Sequence, residues 1–540
     1  MKLLQIIKRF ILYKPPQNDY TFTLEKQTES PVYDVRKRHI QEKAPKISCN
    51  LNENRKYIEK RFDYPHNNDV VIRELCLNGD TKAVLVFFDG MCNGDTINTS
   101  IIKPLLEMPV LQDNEEYNTA DYIYKTLLFH NQVQKKTDFD SLVDDINFGG
   151  CGIFIDGISY AFSADVKGWP QRSIEKPENE QSIYGPQEAF AEMLRGNSAQ
   201  IRKILKTEKL ICEATTLGNI SKTRGVIMYI SDIANEELVG EVRRRLDGIS
   251  MDYVISIEEI SMMIEDNPLL LTGHVLATER PDRVARALSE GRVALLLNGS
   301  PRALIFPTNA YEMTHAAADA YLRTDFANMS RIIRLIAIMV SVLLPGLFLA
   351  ITMFHEEMLP TYLLYAISAS RQNVPFPSFI ELLLMEFAFE MIREAGIRMP
   401  GPLGSILGIV GGLILGQAAV SAKIVSPIMI IIVAITGIGS FANADYSLGW
   451  SFRILKFIFT IIGSCFGFFG IALGMFLYAV IVASTKSFGV PFLSPLPGNN
   501  LYKDAVFVPG IWNMEKRPKY LNPKKRNRED KVSKKWFIGR

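Results

Sequence analysis

The chain of 540 residues lacks the short motifs that most enzymes and metalloproteins carry. It has no P-loop, no GxSxG elbow and no HExxH motif, and its six histidines are scattered without acidic or cysteine partners at the spacing of a known site. Its six cysteines form no CxxC pair, so we expect reduced thiols and neither a disulfide framework nor a metal site. A net charge of only +2 gives no reason to expect a nucleic-acid partner. These absences predict a protein that is not an enzyme and needs no cofactor.

Charge is absent from four stretches of the second half, each long enough to cross a bilayer. The charge-free runs are 335–354, 399–422, 424–444 and 457–485. A fifth apolar segment, 376–392, carries Glu381, Glu386 and Glu390, which cost roughly 2.5 kcal/mol each if charged at mid-bilayer. Helical spacing lets Glu386 and Glu390 share a face with Arg393, whereas Glu381 points elsewhere. Two interpretations stay open, a vestibule that attracts cations and a water-exposed amphipathic helix.

Glycine recurs at helical spacing in two of the charge-free runs. The two sets are Gly404, Gly408, Gly412 and Gly416, then Gly463, Gly467, Gly470 and Gly474. Such a stripe lets another backbone come close, either to pack helices within one subunit or to ring a narrow pore between copies. We expect a leucine at Gly408 or Gly412 to abolish assembly or response.

The first half is polar and alternates apolar strands with helical stretches. Strands that end at Asp89-Gly90, Asp156-Gly157 and Asn298-Gly299 each lead into a turn. We therefore predict an α/β cytosolic region of two subdomains, followed by an all-α multi-span membrane domain. The predicted boundaries are 1–52 for a basic arm, 53–147 and 148–325 for the subdomains, 326–487 for the membrane domain and 488–540 for a basic tail.

Lysine and arginine flank the apolar block on both sides. Arg323, Arg331 and Arg334 precede it, and residues 515–540 hold 11 lysines or arginines against three acids. The positive-inside rule then places both termini in the cytoplasm, which requires an even number of crossings. We expect the cations of the tail to hold anionic lipid headgroups.

An ionic loop precedes a predicted helix that starts at Pro186 and runs to Leu205. Its candidate residues for a subunit or domain contact are Arg172, Glu178, Glu180, Gly185 and Pro186. The alternative is a solvated loop that only caps the helix.

Several stretches, taken in order, resemble the A subunit of the GerA-type spore germination receptors. They are Val84 to Gly90 with Ile102 to Leu106; Gly168 to Arg172 with Gly185-Pro186 and Ala189-Phe190; Glu279 to Asp282 with Glu290 to Arg292 and Asn298 to Pro301; and Val490 to Pro495. The family tends to carry a basic residue on each side of the Gly-Pro pair, where this chain has Tyr184 and Gln187.

The resemblance implies a nutrient-responsive complex in the inner membrane of a bacterial spore. It implies a transporter-like B subunit that senses the nutrient, a lipoprotein C subunit, and A subunits that form a homo-oligomer and an ion conduit. We therefore expect a membrane subunit whose ion path is gated by a partner. The alternatives are a secondary transporter that binds a small substrate itself, and a passive scaffold.

Overall fold

The protein is described by a computed structural model. It describes residues 24, 45–77, 81–107, 119–168, 177, 180, 182–268, 270–397, 403–495, 506–508, 510 and 514–528. Two antiparallel sheets occupy the first half of this part of the chain, and a group of helices follows them.

The first sheet has five strands in the spatial order β1-β2-β4-β5-β3. They are β1 (Val70–Cys76), β2 (Lys82–Phe88), β3 (Val133–Lys136), β4 (Cys151–Ile155) and β5 (Ala161–Ala164). Helices α1 (Leu51–Arg61) and α2 (Phe139–Asn147) pack on one face, and the helical runs 94–107 and 119–127 cover the other. Because both faces are covered, β4 and β5 are buried at every position.

The boundary that we predicted between residues 147 and 148 lies inside this sheet. Strand β4 pairs with β2, and β5 pairs with β3, so strands from both sides of the boundary share one ladder of hydrogen bonds. The first sheet therefore ends at Ala164, later in the chain than the composition indicated.

The second sheet repeats this design with the strand order β6-β7-β9-β10-β8. Its strands are β6 (Leu210–Leu217), β7 (Thr223–Ile230), β8 (Leu276–Thr278), β9 (Val293–Leu297) and β10 (Ala303–Phe306). The accompanying helices are α3 (Leu194–Ile204), α4 (Glu236–Asp247), α5 (Ile257–Ile264), α6 (Pro281–Glu290) and α7 (Ala310–Thr314). Helices α4 and α5 pack on one face, and α3 and α6 on the other.

The turns that follow the predicted strands are built as the sequence indicates. Gly90, Gly157 and Gly299 all have positive φ, at 86°, 84° and 88°. Glycine adopts this conformation without the cost of a Cβ, so these pairs are explained as turns and need no ligand.

A buried arginine joins the two sheets. The side chain of Arg202 on α3 is 3% exposed and forms an ion pair with Asp69, next to the first residue of β1. It also donates hydrogen bonds to Oδ1 of Asn67 (3.1 Å) and to the carbonyl of Leu210 on β6 (2.9 Å). Burial lowers the pKa of Arg202, but the attraction of Asp69 together with that of Cys212 outweighs burial and raises the pKa overall. The guanidinium therefore stays charged and fixes one sheet to the other.

Replacing Arg202 with methionine is expected to lower the free energy of unfolding by about 3–5 kcal/mol, because Asp69 is left without its buried partner. Thermal unfolding of the purified full-length chain measures the loss. Arg195→Met is the matched control, since Arg195 lies on the same helix and forms an ion pair with Asp89 while 71% exposed. An exposed pair contributes about 1 kcal/mol at most. Equal losses in the two variants would contradict this account of the junction.

The second half of the described chain is helical. Its helices are α8 (Thr324–Phe354), α9 (Thr361–Arg371), α10 (Ser378–Ile397), α11 (Leu403–Ser421), α12 (Pro427–Phe441) and α13 (Tyr446–Ser484). The start of α8 is fixed to the second subdomain through Arg334, whose Nη1 donates to the carbonyl of Thr314 on α7 at 2.9 Å. Arg334 is held in place by Asp319, which is 2% exposed and lies between α7 and α8. Its carboxylate accepts from both Nη atoms of Arg334, at 2.9 and 3.1 Å, and lies 3.4 Å from Nε of Arg331.

Helix α13 is folded back on itself at Gly467. Gly467 has φ of 58° and ψ of −147°, which no helix accommodates, and it separates two helical arms, 446–466 and 468–484. The arms meet side by side, because a Cβ placed on Gly474 would lie 3.1 Å from Cε1 of Phe459. The last charge-free run therefore belongs to a helical hairpin, whereas we had predicted a single straight span.

Two described helices, α8 and α13, are long and apolar enough to cross a membrane, and α12 is a shorter apolar helix. A membrane domain with four or more spans therefore remains a prediction. The segment with the three glutamates forms helix α10, packed between α11 and α12.

The chain returns from α13 to the second sheet through β11 (Lys486–Ser487) and β12 (Val490–Pro491). Phe488, between them, is fully buried in the core of that sheet, with its ring 4.7 Å from Phe306. Phe492 is 1% exposed against Leu448 at the start of α13 and Met313 on α7. Both ends of the helical region are thus anchored to the same subdomain.

Residues 514–528 of the tail also bind to this subdomain. Lys524 pairs with Glu236 at 2.7 Å, and Arg528 with Glu290 at 3.0 Å. The hydroxyl of Tyr520 accepts a hydrogen bond from Nη2 of Arg292, at 2.9 Å. These two cations bind acids of their own chain, and the expected contact of the tail with lipid headgroups stays a prediction.

Glu241, Arg244 and Arg245 form an ionic network beside Phe488, and this network makes the free energy of unfolding depend on pH. Burial raises the pKa of Glu241, but hydrogen bonds from Arg244 and Arg245 outweigh it and hold the pKa below its ordinary value. Arg245 also lies over the ring of Phe488, at 4.2 Å.

Folding lowers the pKa of this carboxyl, so its ionised form stabilises the fold at any pH above the pKa in the unfolded chain, about 4.3. The stabilisation is lost as the pH falls through the lower pKa of the folded chain. We therefore expect the unfolding temperature of the native chain to exceed that of Glu241→Gln at pH 7, and the difference to shrink below about pH 4.3. A difference that is constant with pH would contradict this account.

Candidate functional site

All three glutamates of α10 are paired with other residues of the same chain. Glu381 is fully buried where α10 meets the start of α12. It accepts hydrogen bonds from the backbone nitrogen of Ser426 (3.0 Å) and from its hydroxyl (2.9 Å). Nε of Arg371, at the end of α9, lies 3.4 Å from its other oxygen. Glu381 therefore joins three helices.

Glu386 forms the centre of a second group. Its side chain is 2% exposed and forms an ion pair with Lys456 on α13, which is 3% exposed. The hydroxyl of Thr436 on α12 donates to its other oxygen at 3.1 Å. Nζ of Lys456 also lies 3.2 Å from Glu390, so one ammonium bridges two carboxylates.

Arg393 completes the group at the end of α10. Its Nη1 lies 3.6 Å from Glu390, and its Nη2 donates to the hydroxyl of Ser440 on α12 at 2.7 Å. Its guanidinium lies 5.0 Å from the rings of Phe389 and Phe441. Glu386, Glu390 and Arg393 thus share one face of α10, as the spacing predicted.

The charges of this region balance. We call Glu386, Glu390, Arg393 and Lys456 the ionic cluster, and it holds two acids and two bases. A balanced cluster does not attract cations in this conformation, and its burial also excludes a water-exposed helix. The geometry matches neither of the two interpretations that the sequence left open.

The second glycine set packs within the chain. A Cβ on Gly463 would lie 2.5 Å from the carbonyl oxygen of Gly346 on α8, and one on Gly346 would lie 2.5 Å from that of Phe459. Gly467 lies against Phe354 and His355 at the end of α8. Gly470 lies against Phe466 and Ile462, and Gly474 against Phe459 and Ile462. These contacts favour helix packing over a pore lining for this set.

The first glycine set, on α11, is placed differently. A Cβ on Gly416 would contact Ile430 of α12 at 3.4 Å, whereas one on Gly412 would have no atom within 4 Å among the residues described. Gly404 and Gly408 belong to the same helix, and their surroundings lie outside the described side chains. Among the described side chains, this set therefore has one packed and one open position.

The predicted contact loop lies at the junction between the second sheet and α8. Glu180 forms an ion pair with Arg283 on α6 and accepts a hydrogen bond from Thr278. Nη2 of the fully buried Arg280 donates to the carbonyl of Pro186 at 2.6 Å. A Cβ on Gly185, which has φ of 89°, would lie 2.6 Å from the ring of Tyr321.

This loop contacts a boundary within the chain, between the second sheet and the segment that leads into α8. Pro186 does not begin a helix, because α3 starts only at Leu194. The other two candidates of the loop, Arg172 and Glu178, lie outside the described residues.

Sequence reasoning did not identify Lys456 or Arg371 as partners of the glutamates. Lys456 lies 70 residues from Glu386 and immediately precedes a charge-free run. Basic residues commonly border such runs, and spacing along the chain does not show that this one has a partner on another helix.

Comparisons with known proteins agree on one family. The family model of the Bacillus/Clostridium GerA spore germination protein matches residues 56–520. Spore germination protein KA of Bacillus subtilis is 37% identical over 91% of this chain and 88% of its own length. The membrane protein YfkQ of the same organism is 33% identical over 87% of this chain and 91% of its own length.

Among solved structures, a crystal structure of the N-terminal domain of the A subunit of the Bacillus megaterium spore germinant receptor GerK3 is similar to this chain. It is 26% identical, with a TM-score of 0.38, and the match covers 48% of this chain and 96% of that domain. The match of the family model over most of the length, together with the relatives, establishes that the chain belongs to the GerA spore germination protein family.

Proposed function

We propose that this chain is the membrane subunit of a nutrient receptor that triggers spore germination, and that copies of it form an ion path gated by a sensing partner. Its family and its relatives support the role in germination. The observation that supports an ion path is the ionic cluster, because charges buried among apolar helices are costly and are usually kept for function.

In this proposal Lys456 acts as a tethered cation. Its ammonium lies between Glu386 and Glu390, where a free monovalent cation would find the same carboxylate oxygens and the hydroxyl of Thr436. A shift of α13 against α10 removes the ammonium and leaves two carboxylates to line a path. The closed state is the balanced one, and the open state is the one that attracts cations.

The helical region crosses the membrane with six segments in this proposal. They are α8, α10, α11, α12 and the two arms of α13. An even number returns the chain to its starting side, which agrees with the anchoring of both ends of the region to the second subdomain. Both termini then lie in the cytoplasm, as the distribution of basic residues predicts.

The open face of α11 at Gly412 is the proposed contact between copies, since a helix bearing glycine there lets a neighbouring backbone approach closely. The partners are a transporter-like B subunit and a lipoprotein C subunit. Membrane lipid surrounds the exposed apolar side chains, of which Phe469 and Phe476 are 76% and 64% exposed.

Liposomes that contain the purified subunits test this function. We expect the nutrient to induce an ion conductance without saturable exchange of substrate. Counterflow of a small substrate would establish the transporter alternative in its place, and the absence of both signals would leave a scaffold. Spores that lack the gene should lose the nutrient response and regain it when the native gene is restored.

A further inference from the structure

Five large apolar side chains lie exposed on the second subdomain, on and beside α5. Each is more than half exposed, and we call them the α5 patch: Ile220, Tyr253, Ile255, Met262 and Met263. The other side of α5 is buried, since Ile257, Ile260 and Ile264 pack into the core of the second sheet. An exposed apolar surface of this kind marks a contact site.

Hydrogen bonds connect the parts of the α5 patch. The backbone nitrogen of Ile220, at the tip of the hairpin between β6 and β7, donates to the carbonyl of Asp252 at 2.7 Å. The backbone nitrogen of Ile255 donates to the side chain of Glu259 on α5 at 3.1 Å. Tyr253 lies between these two contacts along the chain. The hairpin tip, the stretch before α5 and α5 itself therefore form one surface.

The surroundings of the α5 patch are acidic. Residues 250–266 hold five acids and no lysine or arginine. Their basic neighbours are Arg302 against Glu258, Arg245 against Asp266, and Lys222 at the hairpin tip. The acids outnumber these neighbours, so the surface fits a partner that is both apolar and positively charged.

The first residues of the same chain have this composition. Nine of residues 1–13 are hydrophobic, and residues 1–24 hold four basic residues against one acid. Leu24 already packs against the core of the second sheet, on the face to which Val254 and Ile257 also contribute. Residues 14–23 span up to about 33 Å when extended, so residues 1–13 can reach the α5 patch from Leu24.

We propose that residues 1–13 dock on the α5 patch of their own molecule. Their hydrophobic side chains cover the patch, and Lys8 and Arg9 lie against the acids of residues 250–266. Met262 and Met263 suit such a contact, because methionine adapts its shape to its partner. The short tether to Leu24 gives an effective concentration on the order of millimolar, so a contact of low intrinsic affinity is sufficient.

Two other occupants fit this surface less well. An anionic bilayer repels the acids around the α5 patch. A second copy in two-fold contact places the same acids opposite each other. The segment of the chain that Leu24 brings to this face satisfies both the apolar side chains and the charge.

Helix α5 leads directly to the junction with the helical region. Asp266, two residues after α5, accepts a hydrogen bond from the backbone nitrogen of Phe488 at 2.7 Å. Further along, the hydroxyl of Thr272 lies 2.8 Å from that of Tyr478 on the second arm of α13. A segment docked on α5 therefore contacts the part of the second subdomain that is joined to α13. Docking itself depends neither on an ion path nor on a partner subunit.

Hydrogen exchange of the full-length chain in nanodiscs of phosphatidylcholine tests the proposal, with a variant that lacks residues 2–23 as the comparison. We expect the amides of residues 251–263 to exchange at least about threefold faster in the shortened variant, because a covered surface opens less often. The amides of β2, in the other subdomain, should exchange at the native rate. Equal exchange of residues 251–263 in the two chains would overturn the proposal.

A synthetic peptide of residues 1–24 gives a second measurement. We expect it to bind the shortened variant saturably and to restore slow exchange at residues 251–263. Ile255→Lys in the shortened variant should weaken this binding at least about tenfold, because it removes an apolar contact and adds a charge that repels the peptide. Ile183→Lys is the matched control, since Ile183 is 87% exposed in the loop that leads to Pro186 and should leave binding unchanged.

Two outcomes of the peptide experiment would overturn the proposal. Equal binding by the two lysine variants would show that the α5 patch is not the docking surface. Tighter binding of the peptide to empty nanodiscs of phosphatidylglycerol than to the chain would place residues 1–13 on the bilayer.

Discussion

Replacing Lys456 with methionine is expected to lower the free energy of unfolding by about 3–5 kcal/mol, because Glu386 is left charged, buried and without a cation. Methionine has a similar length and fills the space of the lysine stem, so the loss reports the charge and not a cavity. The midpoint of thermal unfolding of the full-length chain in detergent measures it. In spores, we expect the variant to accumulate at a lower level than the native chain.

Two further variants separate the charge from its surroundings. Arg453 lies one turn earlier on the same helix, with its guanidinium 4.5 Å from the ring of Trp450. We expect Arg453→Met to lower the free energy of unfolding by only about 1 kcal/mol. The double variant Lys456→Met with Glu386→Gln removes both charges and keeps an acceptor for Thr436. It should recover most of the lost stability. If the double variant is no more stable than the single one, the pair does not hold α10 against α13.

Replacing Gly463 with leucine is expected to prevent the helical region from folding. A Cβ at this position would lie 2.5 Å from the backbone oxygen of Gly346, and backbone cannot move aside as a flexible side chain can. Separating α8 from α13 costs about 3 kcal/mol or more. We expect little protein in the membrane and a lowered unfolding temperature in whatever is recovered.

Gly412→Leu is the matched comparison, since it adds the same side chain to a glycine that is open within the described chain. We expect the Gly412→Leu subunit to unfold at the native temperature. The same variant should form no oligomer, as measured by its mass in detergent, and should lose the germination response. Native assembly and response in this variant would show that the open face of α11 is not a contact between copies. A stable Gly463→Leu variant would contradict the hairpin packing of α13.

Local features of the fold could be predicted from the sequence. The turns at Gly90, Gly157 and Gly299 follow from residue pairs that favour positive φ, and the strands before them follow from short apolar runs. The change from sheets to helices follows from the loss of charge after Arg334. The shared face of Glu386 and Glu390 follows from helical spacing alone.

Pairings between distant segments could not be predicted. The sheet that crosses the expected boundary after residue 147 depends on which strands meet, and alternating apolar residues do not specify their partner. The bend at Gly467 could not be predicted because glycine fits both a helix and a kink with positive φ, so its place in the glycine stripe does not distinguish the two. The role of Lys456 could not be predicted because its partners, Glu386 and Glu390, belong to another helix.

The return of the chain to the second sheet constrains the order in which the protein can be made. Phe488 is fully buried against residues made more than a hundred positions earlier. While the ribosome is still translating the apolar helices, the second sheet has an unfilled core and an exposed groove. The apolar helices are therefore made before the core of the second sheet is complete, and a ribosome that stops after residue 484 would release a chain whose second subdomain lacks Phe488 in its core.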